Sequence, residues 1–158
     1  MKKAAISRIG IISDTHGLLR PAAVAALAGC EHIIHAGDIG APAVLDELSA
    51  LAPLTAVRGN NDRAEWARAI PETEVVDLGG TLVYVLHDIN GIDLDPAAAG
   101  FHAVVAGHSH RPSVETRDGV LYVNPGSAGP RRFTLPIAVA ILRIERAALS
   151  AEIVHLDA

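Results

Sequence analysis

The sequence has one cysteine, Cys30, in 158 residues, so no disulfide can form within the chain. So few cysteines favour a reducing compartment. Long uncharged stretches are also lacking: the longest segment without Asp, Glu, Lys or Arg, residues 96–110, is too short and too polar to cross a bilayer. The opening Met-Lys-Lys is similar to the start of a signal peptide, but Arg8 and Asp14 interrupt the apolar run that a signal needs. We therefore expect a cytoplasmic location and no membrane segment.

Aromatic residues and positive charge are scarce as well. One Trp, two Tyr and two Phe are too few for a base-stacking surface. The net charge is -5, from 13 Lys and Arg against 18 Asp and Glu, whereas polynucleotide binding depends on neutralised phosphates. A nucleic-acid polymer is therefore a poor candidate partner. The remaining composition, 50% hydrophobic and 20% charged, is typical of a globular protein, and the length predicts a single domain, residues 1–158.

An apolar, β-rich run that ends in a polar, glycine-bearing loop occurs three times in the first half of the chain. Pro21 and Pro42 stand at the first position of two predicted helices, where the N–H that proline lacks has no helical partner. This order is typical of βαβ units, whose strands run parallel. The strands are predicted at residues 5–12, 32–36 and 54–57, and the helices at residues 21–27 and 42–49.

The second half of the chain has a different pattern, with two short turns between β-rich runs. Gly79-Gly80 and Asp118-Gly119 are signals of two-residue hairpins, and Asp95-Pro96 is typical of the start of a short helix. A parallel first half and an antiparallel second half predict an α/β protein with two packed sheets and helices outside. The further strands are predicted at residues 74–78, 81–86, 103–106, 114–117, 120–123, 137–144 and 149–155, the last two as an antiparallel pair.

Side chains able to bind metals stand where the predicted strands end. Ligands of parallel α/β sheets collect at the carboxyl ends of strands, because the loops converge there. Carboxylate, carboxamide and imidazole groups suit Mn, Fe, Ni or Zn, and the lack of thiolates disfavours a cysteine-type zinc site. Seven such donors follow five strands: Asp14, His16, Asp38, Asn60, His87, His108 and His110.

Seven donors exceed the usual need of one ion, so two ions that share a carboxylate are the natural hypothesis. Asp38 is the best candidate bridge, because its short side chain offers two oxygens at the tip of the central strand. The neutral Asn60 limits the negative charge, which keeps the ions acidic enough to activate water and attract phosphate. Two ions about 3.5 to 4 Å apart serve phosphoester hydrolysis by binding the attacking and leaving oxygens.

Most of these motifs have a simpler explanation when taken singly. Asp14 and His16 would also serve to cap the following helix, residues 59–62 would form a turn, and residues 107–110 a polar loop. Composition, however, gives Gly-Asn-x-Asp only about 0.02 expected occurrences and Asn-Pro-Gly-Ser about 0.001. Unrelated coincidences at so many converging strand ends are the weaker interpretation.

The motifs in this order resemble those of the calcineurin-like metallophosphoesterases, and most closely the small single-domain phosphodiesterases of bacteria and archaea. The resemblance runs over residues 9–132. It implies a four-layer α/β/β/α sandwich, in which two mixed β-sheets pack face to face with helices outside. The motifs that carry it are Asp14-x-His16, Gly37-Asp38, Gly59-Asn60-x-Asp62, His87, Gly107-His108-x-His110 and Asn124-Pro125-Gly126-Ser127.

The resemblance also implies how the ligands are divided and which group attacks the substrate. A bridging water or hydroxide is expected to attack phosphorus in line with the leaving group. Two divalent ions are expected as cofactors, Mn²⁺ first, with Ni²⁺, Fe²⁺ and Zn²⁺ as alternatives. One ion would lie on Asp14, His16, Asp38 and His110, and the second on Asp38, Asn60, His87 and His108.

Among the polar residues we predict four catalytic groups and two phosphate-binding groups. Asp62 would also serve as a loop cap, and Arg131 with Arg132 as a solvated pair. The predicted catalytic residues are Asp38, Asn60, Asp62 and His108, and the predicted phosphate-binding residues are Asn60 and Arg131. The residues expected to be structural or supporting are Cys30, His32, His35, His102, Asn124 to Ser127, and His155.

Two positions depart from the family pattern. Larger phosphatases of the superfamily have a His after the Asn of the Gly-Asn motif, and here that place is Asn61, whose amide is a poor general acid. His87 is followed by Asp88-Ile89, where similar members have Gly and a further His. We therefore expect a small phosphodiester with a good leaving group to be preferred over an alkyl phosphomonoester.

Two other functions compete with a phosphoesterase. The superfamily also contains a retromer subunit that binds protein partners and has an impaired metal site, so a non-catalytic interaction scaffold is the main alternative. The complete set of seven donors favours the enzyme. A nuclease would need a groove for a polymer, which the acidic composition disfavours.

Overall fold

The computed structural model describes residues 7–156, in which two five-stranded β-sheets pack face to face. The strands are β1 (Ser7–Ile12), β2 (His32–His35), β3 (Leu54–Ala56), β4 (Thr73–Leu78), β5 (Thr81–Leu86), β6 (Ala103–Val105), β7 (Ser113–Arg117), β8 (Val120–Asn124), β9 (Ala138–Glu145) and β10 (Ala148–His155). The helices are α1 (Pro21–Leu27) and α2 (Pro42–Ser49), with 3-10 turns at Glu65–Ala67 and Ile89–Gly91. Residues 5 and 6 of the first predicted strand lie outside the described residues.

The first sheet has the strand order β10-β9-β1-β2-β3. Strands β1, β2 and β3 run parallel, as predicted, and the predicted antiparallel pair β9 and β10 joins the same sheet. Both faces of β1 are covered: Ile9 and Ile11 belong to the core between the sheets, and Ile12 to the core beneath the helices. A Cβ at Gly10 would lie 2.5 Å from Cδ2 of Leu27, so glycine lets α1 pack directly on the strand.

The second sheet has the order β4-β5-β6-β8-β7, and its centre differs from the prediction. The hairpins at Gly79-Gly80 and Asp118-Gly119 are confirmed, because β4 pairs antiparallel with β5, and β7 with β8. Strands β5, β6 and β8 nevertheless run parallel. The prediction of an antiparallel second half is therefore wrong for these three strands, since the connection over residues 87–102 crosses back and returns the chain in the same direction.

The short helix predicted at Asp95-Pro96 is also wrong, because the structure has a turn there. Asp95 Oδ1 accepts hydrogen bonds from the N–H groups two and three residues further on, which favours a turn over a continuing helix. Together with the 3-10 turn Ile89–Gly91, this connection packs Phe101 against Tyr84, with ring centroids 5.1 Å apart. The predicted four-layer α/β/β/α sandwich is confirmed, and its fourth layer is a thin one made of turns.

Apolar packing fixes the sheets relative to each other. The central core contains side chains of both sheets, such as Ile11, Leu142 and Val105, all of them fully buried. Each such side chain stabilises the fold by about 1.5–3 kcal/mol relative to its exposed state. Packing on this scale holds the strand ends, and the loops that leave them, in constant positions. None of the helices within residues 7–156 is long and apolar enough to cross a membrane.

Candidate metal centre

The loops that follow β1, β2, β3, β5 and β6 meet at one end of the sandwich. Backbone hydrogen bonds join them in pairs: the N–H of Asp14 donates to Gly37 O, and the N–H of Gly107 donates to His87 O. The prediction that these strand ends converge is therefore confirmed. Side chains that are far apart in the sequence thus lie within one small volume.

Glycines make this close approach possible. A Cβ at Gly59 would lie 2.2 Å from Oδ1 of Asp38, and a Cβ at Gly107 would lie 2.0 Å from Oγ of Ser13. A side chain at either position would therefore force a neighbouring loop away. Glycine is needed at these two motif positions because there is no room for a side chain, and not because the backbone has a positive φ.

Five of the seven predicted ligands share an uncommon backbone conformation. Each has a positive φ in the left-handed region, which costs a residue other than glycine on the order of 1 kcal/mol. The five are Asp14 (56°), His16 (47°), Asp38 (56°), His108 (69°) and His110 (62°). Strain of this kind persists only where the surrounding contacts impose it, and it concentrates at functional sites.

Asp14, His16 and His110 form the first group of side chains able to bind an ion. Oδ1 of Asp14 lies 3.3 Å from Nε2 of His110 and 3.8 Å from Nε2 of His16. Even so, within residues 7–156 the buried atoms Asp14 Oδ1, His16 Nε2 and His110 Nδ1 lack a hydrogen-bond partner. A buried polar atom without a partner costs about 1–3 kcal/mol, which coordination of a cation removes. The first group therefore fits a metal ion.

The second oxygen of Asp14 is held from behind. Oδ2 accepts hydrogen bonds from the Ser13 hydroxyl at 2.7 Å and from the His108 N–H at 3.1 Å. Ser127 also donates its hydroxyl to the backbone oxygen of Asp14 at 3.1 Å. These bonds fix the direction of Oδ1 and leave this oxygen available to an ion.

Asp38, His87 and His108 form the second group. Nδ1 of His87 lies 2.8 Å from Ala36 O, and because a carbonyl only accepts, Nδ1 carries the proton. Nε2 of His87 therefore has the lone pair that a metal requires. It lies 3.2 Å from Oδ2 of Asp38 and 3.3 Å from Nδ1 of His108.

Asp38 is placed between the two groups. Its Oδ2 is 3.2 Å from His87 of the second group and 3.8 Å from Nε2 of His16 of the first. Burial alone would raise the pKa of the Asp38 carboxyl, but His87 and the Asn61 N–H outweigh it and hold the pKa well below its usual value. Burial alone would lower the pKa of His87, but the carboxylates of Asp38 and Asp14 outweigh this effect, so that the pKa of His87 is raised. An ion bound here would replace a proton shared by this pair.

Asn60 and Asn61 follow β3 beside these groups. Asn60 is exposed and lines a hollow together with His87 and Asp88, which places it at the edge of the second group. Asn61 donates to both oxygens of Asp38, through its backbone N–H at 2.9 Å and through Nδ2 at 3.1 Å. The amide at position 61 therefore orients Asp38, a role that its place after the Gly-Asn motif did not reveal.

Asp62 lies beneath the loops, outside both groups. It is buried, and its two oxygens accept three backbone N–H bonds of 3.0 Å, from Ile39 and Gly59 to Oδ2 and from Gly40 to Oδ1. A carboxylate that accepts this many N–H groups joins the loop after β2 to the loop after β3. Asp62 thereby sets the positions of the neighbouring Asp38 and Asn60.

His35 supports the site from inside the sheet. It is fully buried, its Nδ1 accepts the N–H of Gly37 at 3.1 Å, and its Nε2 lies 3.0 Å from Oγ of Thr15. Because Thr15 donates its own hydroxyl to Ile39 O, Nε2 of His35 is the donor in this contact. Burial lowers the pKa of His35 from 6.5 to about 3. The neutral ring joins the loops after β1 and β2.

The predicted supporting turn is in contact with the site. Nδ2 of Asn124 donates to Gly107 O and to the Ser109 hydroxyl, both at 3.1 Å, which braces the loop that carries His108 and His110. The same turn also contacts the first group, because Ser127 donates its hydroxyl to Asp14 O.

The predicted phosphate-binding Arg131 is exposed in the loop after Gly129. Its neighbour Arg132 acts on the first group: the pKa of His110 is lowered, chiefly by burial and also by the charge of Arg132. On the other side of the site, Oδ2 of Asp88 lies 3.7 Å from Nε2 of His108.

Comparison with known proteins shows the family of the chain. Residues 8–147 match the calcineurin-like phosphoesterase superfamily domain. The chain belongs to this superfamily. It is 32% identical over 162 residues to a probable metallophosphoesterase of Methanothermobacter thermautotrophicus, covering 95% of this chain and 93% of that protein.

Solved structures of other proteins have the same fold. An archaeal phosphodiesterase superposes with a TM-score of 0.72 and 26% identity, over 93% of this chain and 99% of that one. Vacuolar Protein Sorting 29 from Cryptosporidium parvum superposes with a TM-score of 0.77, over 97% and 99% of the two chains, but is only 16% identical, so it shows the fold alone. Calcineurin-like phosphoesterases depend on metals, and the two groups of side chains described above are candidate binding sites in this member.

Proposed function

We propose that residues 1–158 form one domain that hydrolyses a small phosphodiester with the help of two divalent metal ions. The observation that carries this proposal is the position of Asp38, whose Oδ2 is within 3.8 Å of imidazole nitrogens from both groups. A carboxylate in this position is able to bridge two ions of the kind that serve phosphoester hydrolysis. The proposed ligands are Asp14, His16, Asp38 and His110 for one ion, and Asp38, Asn60, His87 and His108 for the other.

Two divalent ions, when bound, supply a water acidified for attack and positive charge for the phosphoryl oxygens. Hydrolysis would form a new P–O bond to this water opposite the leaving oxygen while the P–O bond to the leaving oxygen breaks. The proton that the water gives up would pass to solvent, and an aryl oxide would leave as its anion. Asn60 offers an amide N–H to a phosphoryl oxygen, and Arg131 offers a guanidinium. His108 has 43% of its side chain exposed, so it faces the side from which a substrate arrives.

The remaining proposed catalytic residue, Asp62, acts by position. Its three N–H contacts keep the loops of Asp38 and Asn60 together, so it supports the attack without contacting the substrate. We propose Mn²⁺ as the ion, since carboxylate, amide and imidazole donors suit it, with Ni²⁺, Fe²⁺ and Zn²⁺ as alternatives. The proposed compartment is the cytoplasm, in keeping with a single, buried cysteine.

A preference for diesters with good leaving groups is part of the proposal. Both donors of Asn61 are directed at Asp38, and an amide has no acidic proton for an alkoxide leaving group. An aryl phosphodiester, whose leaving group needs no acid, should therefore react faster than an alkyl phosphomonoester with the same metal loaded. The reverse order would contradict this preference.

The test of the proposed function is Asp38→Ala, with Asp46→Ala on the exposed face of α2 as a matched control. Wild type and control, loaded with Mn²⁺ and desalted, should each carry about two ions per chain by elemental analysis and hydrolyse an aryl diester. Asp38→Ala should lose both ions and at least about a thousandfold in kcat/KM, since bridge and nucleophile are lost together. Full metal content and diesterase activity in Asp38→Ala would refute the bridge.

The alternative function is a protein-interaction scaffold on the same fold. The likeness to Vacuolar Protein Sorting 29 concerns the fold, and the presence of all seven predicted donors in the sequence favours catalysis. Added Mn²⁺ that raises Tm while no phosphoester of a diester and monoester panel is turned over would favour the scaffold.

A further inference from the structure

A groove lined by three arginines opens beside the candidate metal centre. It has a volume of about 350 Å³ and is formed by the segment between β3 and β4. Asn60 lines both this groove and the hollow that reaches His87 and Asp88, so the groove begins at the edge of the second metal group. The three basic residues in its wall are Arg58, Arg63 and Arg68.

The groove has a surplus of positive charge although the chain has a net charge of -5. Arg58 is paired, with Nη2 at 2.9 Å from Oε1 of Glu72. Asp62, the other acid of the wall, is buried with both oxygens bonded to backbone N–H groups. Within the described part of the chain, ion pairs of arginine do not include Arg63 or Arg68. Two guanidinium groups are therefore available to a ligand.

These two arginines stand on a fixed piece of chain. Nε of Arg63 donates to Asn60 O at 3.1 Å, which keeps its two terminal NH₂ groups near the candidate ligand Asn60. Arg68 follows the 3-10 turn Glu65–Ala67, in which Ala67 is fully buried and Trp66 packs against the core beneath the helices. Because guanidinium groups bind phosphate through paired N–H bonds, a wall built in this way suits a phosphate group.

We propose that this groove binds a second phosphate of the substrate, so that the preferred substrates are small phosphodiesters that carry a further phosphate group. The inference rests on the proposed function and narrows its substrate class. A substrate with only the scissile phosphate would engage the metal side and leave Arg63 and Arg68 without a partner. A polymer would place phosphates on both sides of the centre, whereas the three arginines lie along one side.

The test compares two esters that share the scissile bond and the leaving group. They are thymidine 5′-(4-nitrophenyl phosphate) and the same ester with a 3′-phosphate. The metal-loaded wild type should hydrolyse the 3′-phosphorylated ester with a kcat/KM about tenfold higher, and this ratio should fall as salt is added. The single variant Arg68→Ala should lower this ratio of kcat/KM values, and the double variant Arg63→Ala with Arg68→Ala should bring it to about 1.

Two further variants control for net charge and for the ion pair. Arg117→Ala with Arg143→Ala removes the same charge from strands β7 and β9 and should keep the tenfold ratio. Glu72→Gln frees Arg58 from its ion pair and should raise the ratio. A ratio of the two kcat/KM values near 1 in the wild type, or an equal fall of this ratio in both double variants, would overturn the phosphate subsite. Hydrolysis of both esters would still support the proposed function in that case.

A binding measurement separates the two hypotheses if neither ester is hydrolysed. With EDTA present, calorimetry should show that the wild type binds thymidine 3′,5′-bisphosphate about tenfold more tightly than thymidine 5′-monophosphate. The difference should vanish in Arg63→Ala with Arg68→Ala. That result without turnover would reject the proposed function and keep the subsite. Cleavage of an oligothymidylate at a higher kcat/KM than the phosphorylated ester would overturn the proposal in favour of a nucleic-acid groove.

Discussion

The buried ring of His35 should make folding stability fall between pH 7.5 and pH 5. Its pKa is lowered from 6.5 to about 3, so the folded protein keeps it neutral, whereas the unfolded chain takes up a proton below pH 6.5. The stability that this group contributes is therefore complete above pH 6.5 and is lost as the pH falls toward 3. A pH of 5 is about 1.5 units below the pKa of His35 in the unfolded chain. The free energy of unfolding should therefore be about 2 kcal/mol lower at pH 5 than at pH 7.5.

The assay is urea unfolding followed by circular dichroism at several pH values, on protein treated with EDTA. His35→Gln keeps a donor for Thr15 but does not titrate, so it should lose about 2 kcal/mol less than the wild type over this pH range. Asp38, His87 and the other groups contribute equally to both proteins and cancel in the difference. His155→Gln, on the exposed end of β10, should retain the wild-type pH dependence. An equal pH dependence in His35→Gln and wild type would refute the assignment.

Two further predictions concern how the loops are held together. Gly59→Ala places a Cβ 2.2 Å from Asp38 Oδ1 and should cost about 1–3 kcal/mol of stability and reduce bound Mn²⁺, while Gly91→Ala, in open space, should leave both unchanged. A normal metal content in Gly59→Ala would show that Asp38 is not tightly enclosed. Asp62→Asn turns an NH₂ group toward backbone donors and should lower the free energy of unfolding by about 2–4 kcal/mol by urea titration, against less than about 0.5 for Asp46→Asn. Equal stability of these two variants would contradict the role given to Asp62.

Local signals in the sequence predicted the first sheet and the meeting of the loops. Pro21 and Pro42 begin the two helices, and the polar ends of three parallel strands necessarily share an edge. The direction of β6 and β8 was not predictable in this way, because a crossover without a helix has no periodic pattern. The helix predicted at Asp95-Pro96 was wrong for a related reason, because an Asp side chain that caps a helix also closes a turn.

The supporting contacts of the site were harder to predict than its ligands. Ligands belong to residue types with recognisable chemistry, and they stand at strand ends. Asn61 and Thr15 act through partners that lie on other loops, so their roles depend on distances that a sequence does not contain. The groove of Arg63 and Arg68 is not predictable from the sequence, because nothing in the local pattern shows that these two side chains line the same hollow as Asn60.

The left-handed backbone at the ligand positions has a consequence for the protein's descendants. Glycine adopts this conformation without penalty, so His16→Gly or His108→Gly would relieve on the order of 1 kcal/mol of strain while removing a ligand. A lineage released from selection for hydrolysis could thus replace its ligands and become more stable at the same time. Selection for catalysis must therefore act continuously against the loss of these ligand residues. A superfamily member that has lost its catalytic activity would retain the fold without the ligands.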